Sequence, residues 1–255
     1  MKKKSLRIRN LLIGEGRPKI CVPIVGHTES EILTQAEALK GSPADLVEWR
    51  ADWFENLKEP DAVTGMLESL WKELGGLPLL FTIRTAAEGG EADISWQEYR
   101  VLNLAAAGSG FADLIDVEMF AQAIPATTKL VEELKACGVL VVGSSHDFQK
   151  TPSVRVMVER LCVMQQSGAS ICKLAVTPQT KDDVVALLNA TWEMNSRYAD
   201  RPLITMSMGK LGLISRLSGE LFGSAVTFGC IGQTSAPGQI EAGRLAEYLE
   251  ELSEE

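Results

Sequence analysis

The chain has 255 residues, 45% of them hydrophobic and 23% charged, the composition of a globular protein long enough to bury a large core. Its formal net charge of -9 repels nucleic acid and anionic membrane over most of the surface, which sets both aside as partners. The five cysteines are scattered without a C-x-x-C pair, and the only histidines are His27 and His146; this excludes a disulfide framework and a histidine-rich metal site, leaving free thiols, no metal and no cofactor as the expectation.

Taken in chain order, the first apolar residues, Leu11, Leu12 and Ile13, make no signal-length core, and no stretch approaches membrane-spanning length. A cytoplasmic location is therefore expected. Residues 5–16 alternate in polarity and contain Gly14 and Gly16, which reads as a β-hairpin able to close one end of a larger domain. From Lys19 onward short apolar runs alternate with segments of helical period, the pattern of repeated βα units around a parallel sheet. Eight strands are predicted, at residues 20–25, 45–50, 79–84, 114–118, 139–144, 171–176, 203–207 and 225–228. Eight favours closure, so the expected fold is a single α/β domain over residues 1–255, a (β/α)8 TIM barrel with the hairpin at its bottom. Thr28-x-x-Glu31 and Ser95-x-x-Glu98 look like capping boxes, Thr180 and Asp183 open a further helix, and Val63, Leu67, Leu70 and Leu74 recur at helical spacing. A last helix is expected from near Gln239, with Leu245, Leu249 and Leu252 turned inward.

In a barrel of this kind ligands bind at the C-terminal ends of the strands, and polar residues cluster there. Period-two alternation puts Glu48 with Arg50, Thr82 with Arg84, and Asp116 with Glu118 on shared faces. Charges inside a barrel cost several kcal/mol, roughly, unless they are paired or serve a ligand, so a structural ion-pair network and a binding site are both open readings. Lys173 stands in Ile-Cys-Lys-Leu-Ala-Val, where desolvation should disfavour its ammonium form, the direction a nucleophilic amine needs; Arg50, Arg84 and Arg216 are candidates for adding positive potential. A merely solvated lysine is the alternative. His146 follows the predicted fifth strand and is a candidate acid–base group or a hydrogen-bonded loop residue, whereas His27 reads as surface. Arg216, Ser235 and Gln239 near the last strand ends suit an oxyanion, with Arg216 able to fork a carboxylate.

These segments resemble type I 3-dehydroquinate dehydratases over essentially the whole length. The motifs are Glu-Trp-Arg-Ala-Asp at 48–52, Phe-Thr-Ile-Arg-Thr-Ala-Ala-Glu-Gly-Gly-Glu at 81–91, Asp-Leu-Ile-Asp-Val-Glu at 113–118, Ser-His-Asp-Phe at 145–148, Cys-Lys-Leu-Ala-Val at 172–176, Ser-Arg-Leu-Ser-Gly at 215–219, Phe-Gly-Ser-Ala-Val-Thr-Phe-Gly at 222–229 and Ser-Ala-Pro-Gly-Gln at 235–239. The resemblance implies a hydro-lyase of the shikimate pathway: Lys173 forms a Schiff base with the ketone of 3-dehydroquinate, His146 moves protons, and Glu88 orients His146. It further implies that Arg216, Ser235 and Gln239 hold the substrate carboxylate, that Glu48, Arg50 and Arg84 bind the ring hydroxyls, that Asp116 and Glu118 hold the basic residues in place, and that the protein is a homodimer. Ser145 and Thr177 depart from the family, which often has tyrosine and methionine there. Two rival functions share some of these features. An aldolase-like Schiff-base barrel would bind sugar phosphates, for which no Gly-rich cradle is evident; a catalytically silent barrel binding a small acid would not need Lys173, His146 and Glu88 together.

Overall fold

The computed structural model describes residues 5–232 and 235–253. Two short antiparallel strands, β1 (Leu6–Ile8) and β2 (Leu11–Ile13), come first. The hairpin expected over 5–16 is present, but its turn is Arg9-Asn10, with Arg9 at a φ of 50°; Gly14 and Gly16 lie beyond it. Arg9 is held there by Asp113, whose Oδ1 lies 2.7 Å from Arg9 Nε.

Eight parallel strands then alternate with helices: β3 (Lys19–Ile24), β4 (Leu46–Arg50), β5 (Leu79–Thr82), β6 (Leu114–Glu118), β7 (Leu140–Asp147), β8 (Ile171–Val176), β9 (Leu203–Ser207) and β10 (Val226–Cys230). They pair in chain order from β3 to β9, and β10 pairs back onto β3, with a two-residue strand β11 (Ile240–Glu241) beside β10. The curled sheet closes where Ala225 N–H donates to the Leu203 carbonyl at 2.7 Å and Ser224 Oγ accepts from Thr205 N–H at 3.0 Å. This is the TIM-barrel architecture that the strand count implies. Strand β7 runs three residues past its predicted end, so His146 lies within a strand and not after one.

The main helices are α1 (Glu29–Ala38), α2 (Pro60–Glu73), α3 (Trp96–Gly108), α4 (Ile124–Ala136), α5 (Val154–Gln166) and α6 (Lys181–Glu193), followed by the short α7 (Ile214–Leu217) and α8 (Gly219–Phe222), and by α9 (Ala242–Leu252). The two expected capping boxes form, at Thr28 and Ser95, and the helix start expected at Thr180 and Asp183 proves to be a third, each satisfying backbone N–H groups that a helix start leaves orphaned. Helix α9 starts at Ala242, after β11, and buries Leu245 and Leu249; Leu252, expected inside, is 56% exposed because it is the final residue of the helix, past its last buried turn.

Two apolar layers hold the molecule. The outer one lies between strands and helices and includes Trp49, Phe81, Leu67, Leu70 and Leu187. The inner one fills the lower barrel with Cys21, Leu46, Leu80, Leu114, Val142, Ile171, Ile204 and Val226, and Ile8 and Ile13 of the hairpin pack against it as a floor. All five cysteines are free; Cys137 is exposed.

Candidate active site

The upper barrel is polar because of a single step along each strand. Side chains two residues apart share a face, so the inner residues Leu46, Leu80, Leu114, Val142 and Ile171 are followed by Glu48, Thr82, Asp116, Ser144 and Lys173. One further step brings Arg50, Arg84, Glu118 and His146 to the mouth. The strands thus convert an apolar floor into an ionic layer without a change of fold.

Lys173 is the centre of that layer and is 4% exposed. Its Nζ lies 3.2 Å from Glu48 Oε1 and 3.7 Å from Asp116 Oδ2, and 4.5 Å from the centre of the Phe228 ring. The immediate charged partners of the amine are therefore carboxylates, where the sequence suggests guanidinium groups. Glu48 Oε1 also accepts from Thr82 Oγ1 at 3.0 Å, which fixes the carboxylate from the neighbouring strand.

Arg84 ties the carboxylates together. It donates from Nη2 to Asp116 at 2.8 Å, and from Nη1 to Glu118 at 2.9 Å, Ser144 at 3.2 Å and Glu88 at 3.4 Å. Burial opposes its charge, but Asp116, Glu118 and Glu88 outweigh that and hold its guanidinium well above the ordinary range. Asp116 is buried too, yet Arg84 and Lys173 keep its carboxyl below the usual value. The pairing compensates these buried charges, although Asp116 Oδ2 has no hydrogen-bond partner among the described residues and only faces Lys173 Nζ at 3.7 Å.

Glu88 sits in the turn after β5 and reaches over the end of β6 to His146 on β7. Its Oε2 accepts the His146 backbone N–H at 3.0 Å and lies 2.8 Å from the ring Nδ1. With Nδ1 engaged, Nε2 is the nitrogen left for a ligand. Burial pushes the Glu88 carboxyl up to about 8 against the pull of Arg84, and burial together with Arg84, Lys173 and Arg50 pushes the imidazole well below its ordinary value. Across their 2.8 Å contact the carboxyl is thus biased toward its protonated form and the imidazole toward its neutral one.

Arg50 and Arg216 differ sharply in their partners. Arg50 is forked by Asp52, at 2.8 Å from Nε and 2.7 Å from Nη2, and Nη1 reaches the Ser235 carbonyl at 3.4 Å. Arg216, presented by α7, is 1% exposed, yet among the described residues it has no acidic partner. Its Nη2 donates to the Pro237 carbonyl at 3.1 Å and Nη1 lies 3.8 Å from Met206 sulfur, while Nε has no hydrogen-bond partner among the described residues. Burial lowers its pKa to about 10, so it remains a cation, desolvated and uncompensated. Ser235 and Gln239 bind each other across the loop, Ser235 N–H donating to Gln239 Oε1 at 2.9 Å and Gln239 Nε2 to Ser235 Oγ at 3.1 Å.

The nine residues expected from the sequence to act on or bind a substrate, Glu48, Arg50, Arg84, Glu88, His146, Lys173, Arg216, Ser235 and Gln239, line one cavity; Asp116 and Glu118 lie behind it. Sequence reasoning misses its apolar walls: Phe148, Met206, Met208 and Phe228. Apolar residues at strand ends are indistinguishable from core residues in a periodicity reading. It also misses Asp52, whose fork on Arg50 lies past the end of β4. Phe148 is seated on Gly89, which has a φ of 79° and no room for a Cβ beneath the ring, so a glycine there serves both the turn and the wall.

An amine at this depth, beside its own acid–base dyad at the strand ends of a closed barrel, places the molecule among the lysine-bearing (β/α)8 barrels. The family model for Type I 3-dehydroquinase matches residues 20–255. A 3-dehydroquinate dehydratase of Clostridium kluyveri is 46% identical over 248 residues, covering 97% of each chain, and one of Bacillus licheniformis is 48% identical over 247 residues, again covering 97% of each. The crystal structure of a type I 3-dehydroquinate dehydratase from Clostridium difficile, with covalently modified comenic acid, superposes with a TM-score of 0.95 at 47% identity, covering 99% of this chain and 98% of that one. This chain belongs to the type I 3-dehydroquinase family.

Proposed function

We propose that the protein is a 3-dehydroquinate dehydratase, a hydro-lyase that converts 3-dehydroquinate to 3-dehydroshikimate by syn elimination through a Schiff base on Lys173. The observation that carries this reading is that a buried amine, an imidazole–carboxylate dyad and an uncompensated guanidinium share one cavity. Nucleophile, base and carboxylate holder therefore meet around one small polyhydroxy ketone.

Lys173 must shed a proton before it attacks, and Glu48 Oε1, at 3.2 Å, is placed to take it. The amine adds to the substrate C3 ketone, and the carbinolamine loses its hydroxyl as water, leaving a cationic C=N bond. That bond draws electrons from C2, and His146 Nε2 takes the C2 proton to give an enamine. The enamine expels the C1 hydroxyl, which leaves as water with a proton from His146. Hydrolysis of the product imine consumes one water and restores the free amine, so the net change is loss of a single water. One imidazole serving both proton transfers confines them to one face of the ring, which is why the elimination is syn. Glu88 holds the imidazole in the required tautomer and balances its charge while it is protonated.

Binding falls to the surrounding polar groups. The desolvated Arg216 holds the substrate carboxylate, with Ser235 and Gln239 beside it, and relieves its own lack of a counter-charge in doing so. Glu48, Arg50 and Arg84 meet the ring hydroxyls, and Asp116 and Glu118 fix Arg84 from behind. The chain acts as one domain in the cytoplasm and as a homodimer, a reading that rests on the family likeness; among the described residues no helix is long and apolar enough to cross a membrane. Purified protein given 3-dehydroquinate should generate the ultraviolet absorbance of a conjugated enone. Binding of the ligand with no absorbance change would favour a silent acid-binding barrel.

A further inference from the structure

Strand β5 pairs with β6 at only two positions, Leu80 with Leu114 and Phe81 with Ile115. On its other edge β5 continues to pair with β4 as far as Thr82, and β6 continues to pair with β7 as far as Glu118. The sheet therefore splits between β5 and β6 just below the mouth. In a parallel ladder one residue donates its N–H to the carbonyl on one side of its partner and accepts from the N–H on the other. Continuing the register of β5 would set Ile83 against Val117, bonded to the Asp116 carbonyl and the Glu118 N–H. Those two groups are buried and need partners.

The side chain of Tyr99, from α3, supplies them. Its hydroxyl donates to the Asp116 carbonyl at 3.3 Å and accepts from the Glu118 N–H at 3.1 Å, so one phenol stands where the Ile83 peptide would have stood. Tyr99 is 2% exposed, and its ring stacks on Trp96 at 5.5 Å and 18°. Released from β6, the chain after β5 folds on itself, with Ala92 N–H donating to the Arg84 carbonyl at 3.2 Å and Ala86 N–H to the Ala92 carbonyl at 2.9 Å. It is pinned by Glu118, which accepts from Thr85 N–H at 2.8 Å and Thr85 Oγ1 at 2.7 Å. That path carries Arg84 to Asp116 and Glu118, and Glu88 over β6 to His146.

We propose that Tyr99 is a positioning residue for the dehydration: by taking the place of a backbone pairing partner, its hydroxyl holds the β5–β6 split open and sets the Arg84–Glu88–His146 chain. The proposal rests on the functional reading above. The groups that face Glu88 are Arg84, Asp116, Glu118 and His146, and all four hang on the two strands that this hydroxyl separates or on the dyad contact itself.

Tyr99→Phe keeps the ring on Trp96 and removes only the bridging hydroxyl. The expected result is a fall in kcat of about 10- to 100-fold, the scale of a remote loss of alignment, with a smaller change in KM and a displaced acid limb in the pH profile of kcat/KM. A variant with wild-type kcat and an unmoved profile, even with a lowered Tm, would overturn the proposal. Should Tyr99→Phe not fold, 3-fluorotyrosine can be incorporated after Tyr198 and Tyr248, the only other tyrosines, are replaced by Phe. The altered donor and acceptor strength at Tyr99 should then move the profile; an identical profile would count against the role. Absence of turnover in the wild-type chain would instead refute the functional reading.

Discussion

The lower and upper halves of the barrel interior are built by the same strands two residues apart, yet they obey different physics. Below, Leu46, Leu80, Leu114, Val142 and Ile171 are fully or almost fully buried over the hairpin floor of Ile8 and Ile13, and this layer stabilises the fold by removing apolar surface from water. Above, Glu48, Asp116 and Lys173 are equally hidden, and the layer is tolerable only because Arg84 and the carboxylates compensate one another. Arg216 is the exception within the upper layer, a buried cation without a carboxylate among the described residues. Stability and chemistry are thus separated along each strand by a single step of the pleat, and an uncompensated charge marks where a ligand's charge belongs.

The largest expected effect comes from the upper layer. His146→Ala should lower kcat by about 10²- to 10⁴-fold, the usual contribution of a positioned acid–base group, while leaving Lys173 able to form the imine; rapid-quench mass spectrometry would show the adduct accumulate. Near-normal turnover would remove His146 from the role. Arg216→Leu should raise KM by about 100-fold, in the range for loss of one partner of a buried charge pair. Its Tm should hold or rise, because an uncompensated charge has been taken out of the interior. A large fall in Tm with unchanged KM would erase the distinction between Arg216 and its compensated neighbours.

A pH titration sharpens the comparison at the dyad. The proposed mechanism requires Glu88 to be ionised and to accept the Nδ1 proton, with Nε2 free. Because burial raises the Glu88 carboxyl to about 8, the free dyad holds an extra proton below that pH, so kcat/KM should climb as pH rises and level off above about 8. A profile flat from pH 6 to 9 would contradict this. The smallest effect on activity belongs to the lower layer. Leu114→Ala should cost about 2–5 kcal/mol of stability by denaturant unfolding with kcat essentially unchanged.

Much of this architecture is legible in the amino-acid sequence. The strands follow apolar, β-branched runs, and the three capping boxes mark α1, α3 and α6 to within a residue. Helices α4 and α5 have no side-chain cap, at Ala123 or Ser153, and are passed over by that signal. His146 is misplaced by sequence reasoning because Ser145, His146 and Asp147 lack strand-forming side chains; their extended form is imposed by pairing with β8, Ser145 against Leu174, His146 against Ala175 and Asp147 against Val176. The carboxylates around Lys173 each stand out in the sequence, but which of them touches the amine depends on neighbouring strands and on register, which no single-strand pattern contains. The role of Tyr99 is hidden for the same reason: a tyrosine at helical spacing looks like core until the sheet beside it is seen to split.

The proposed chemistry stands or falls on the Lys173 amine being the group that bonds to the substrate. The direct measurement is borohydride reduction in the presence of 3-dehydroquinate, followed by peptide mass spectrometry, with Lys173→Ala as the control. The expected result is a reduced adduct confined to the peptide bearing Lys173 and absent from the variant. Turnover with Lys173 unmodified, or an adduct on a different lysine, would contradict it.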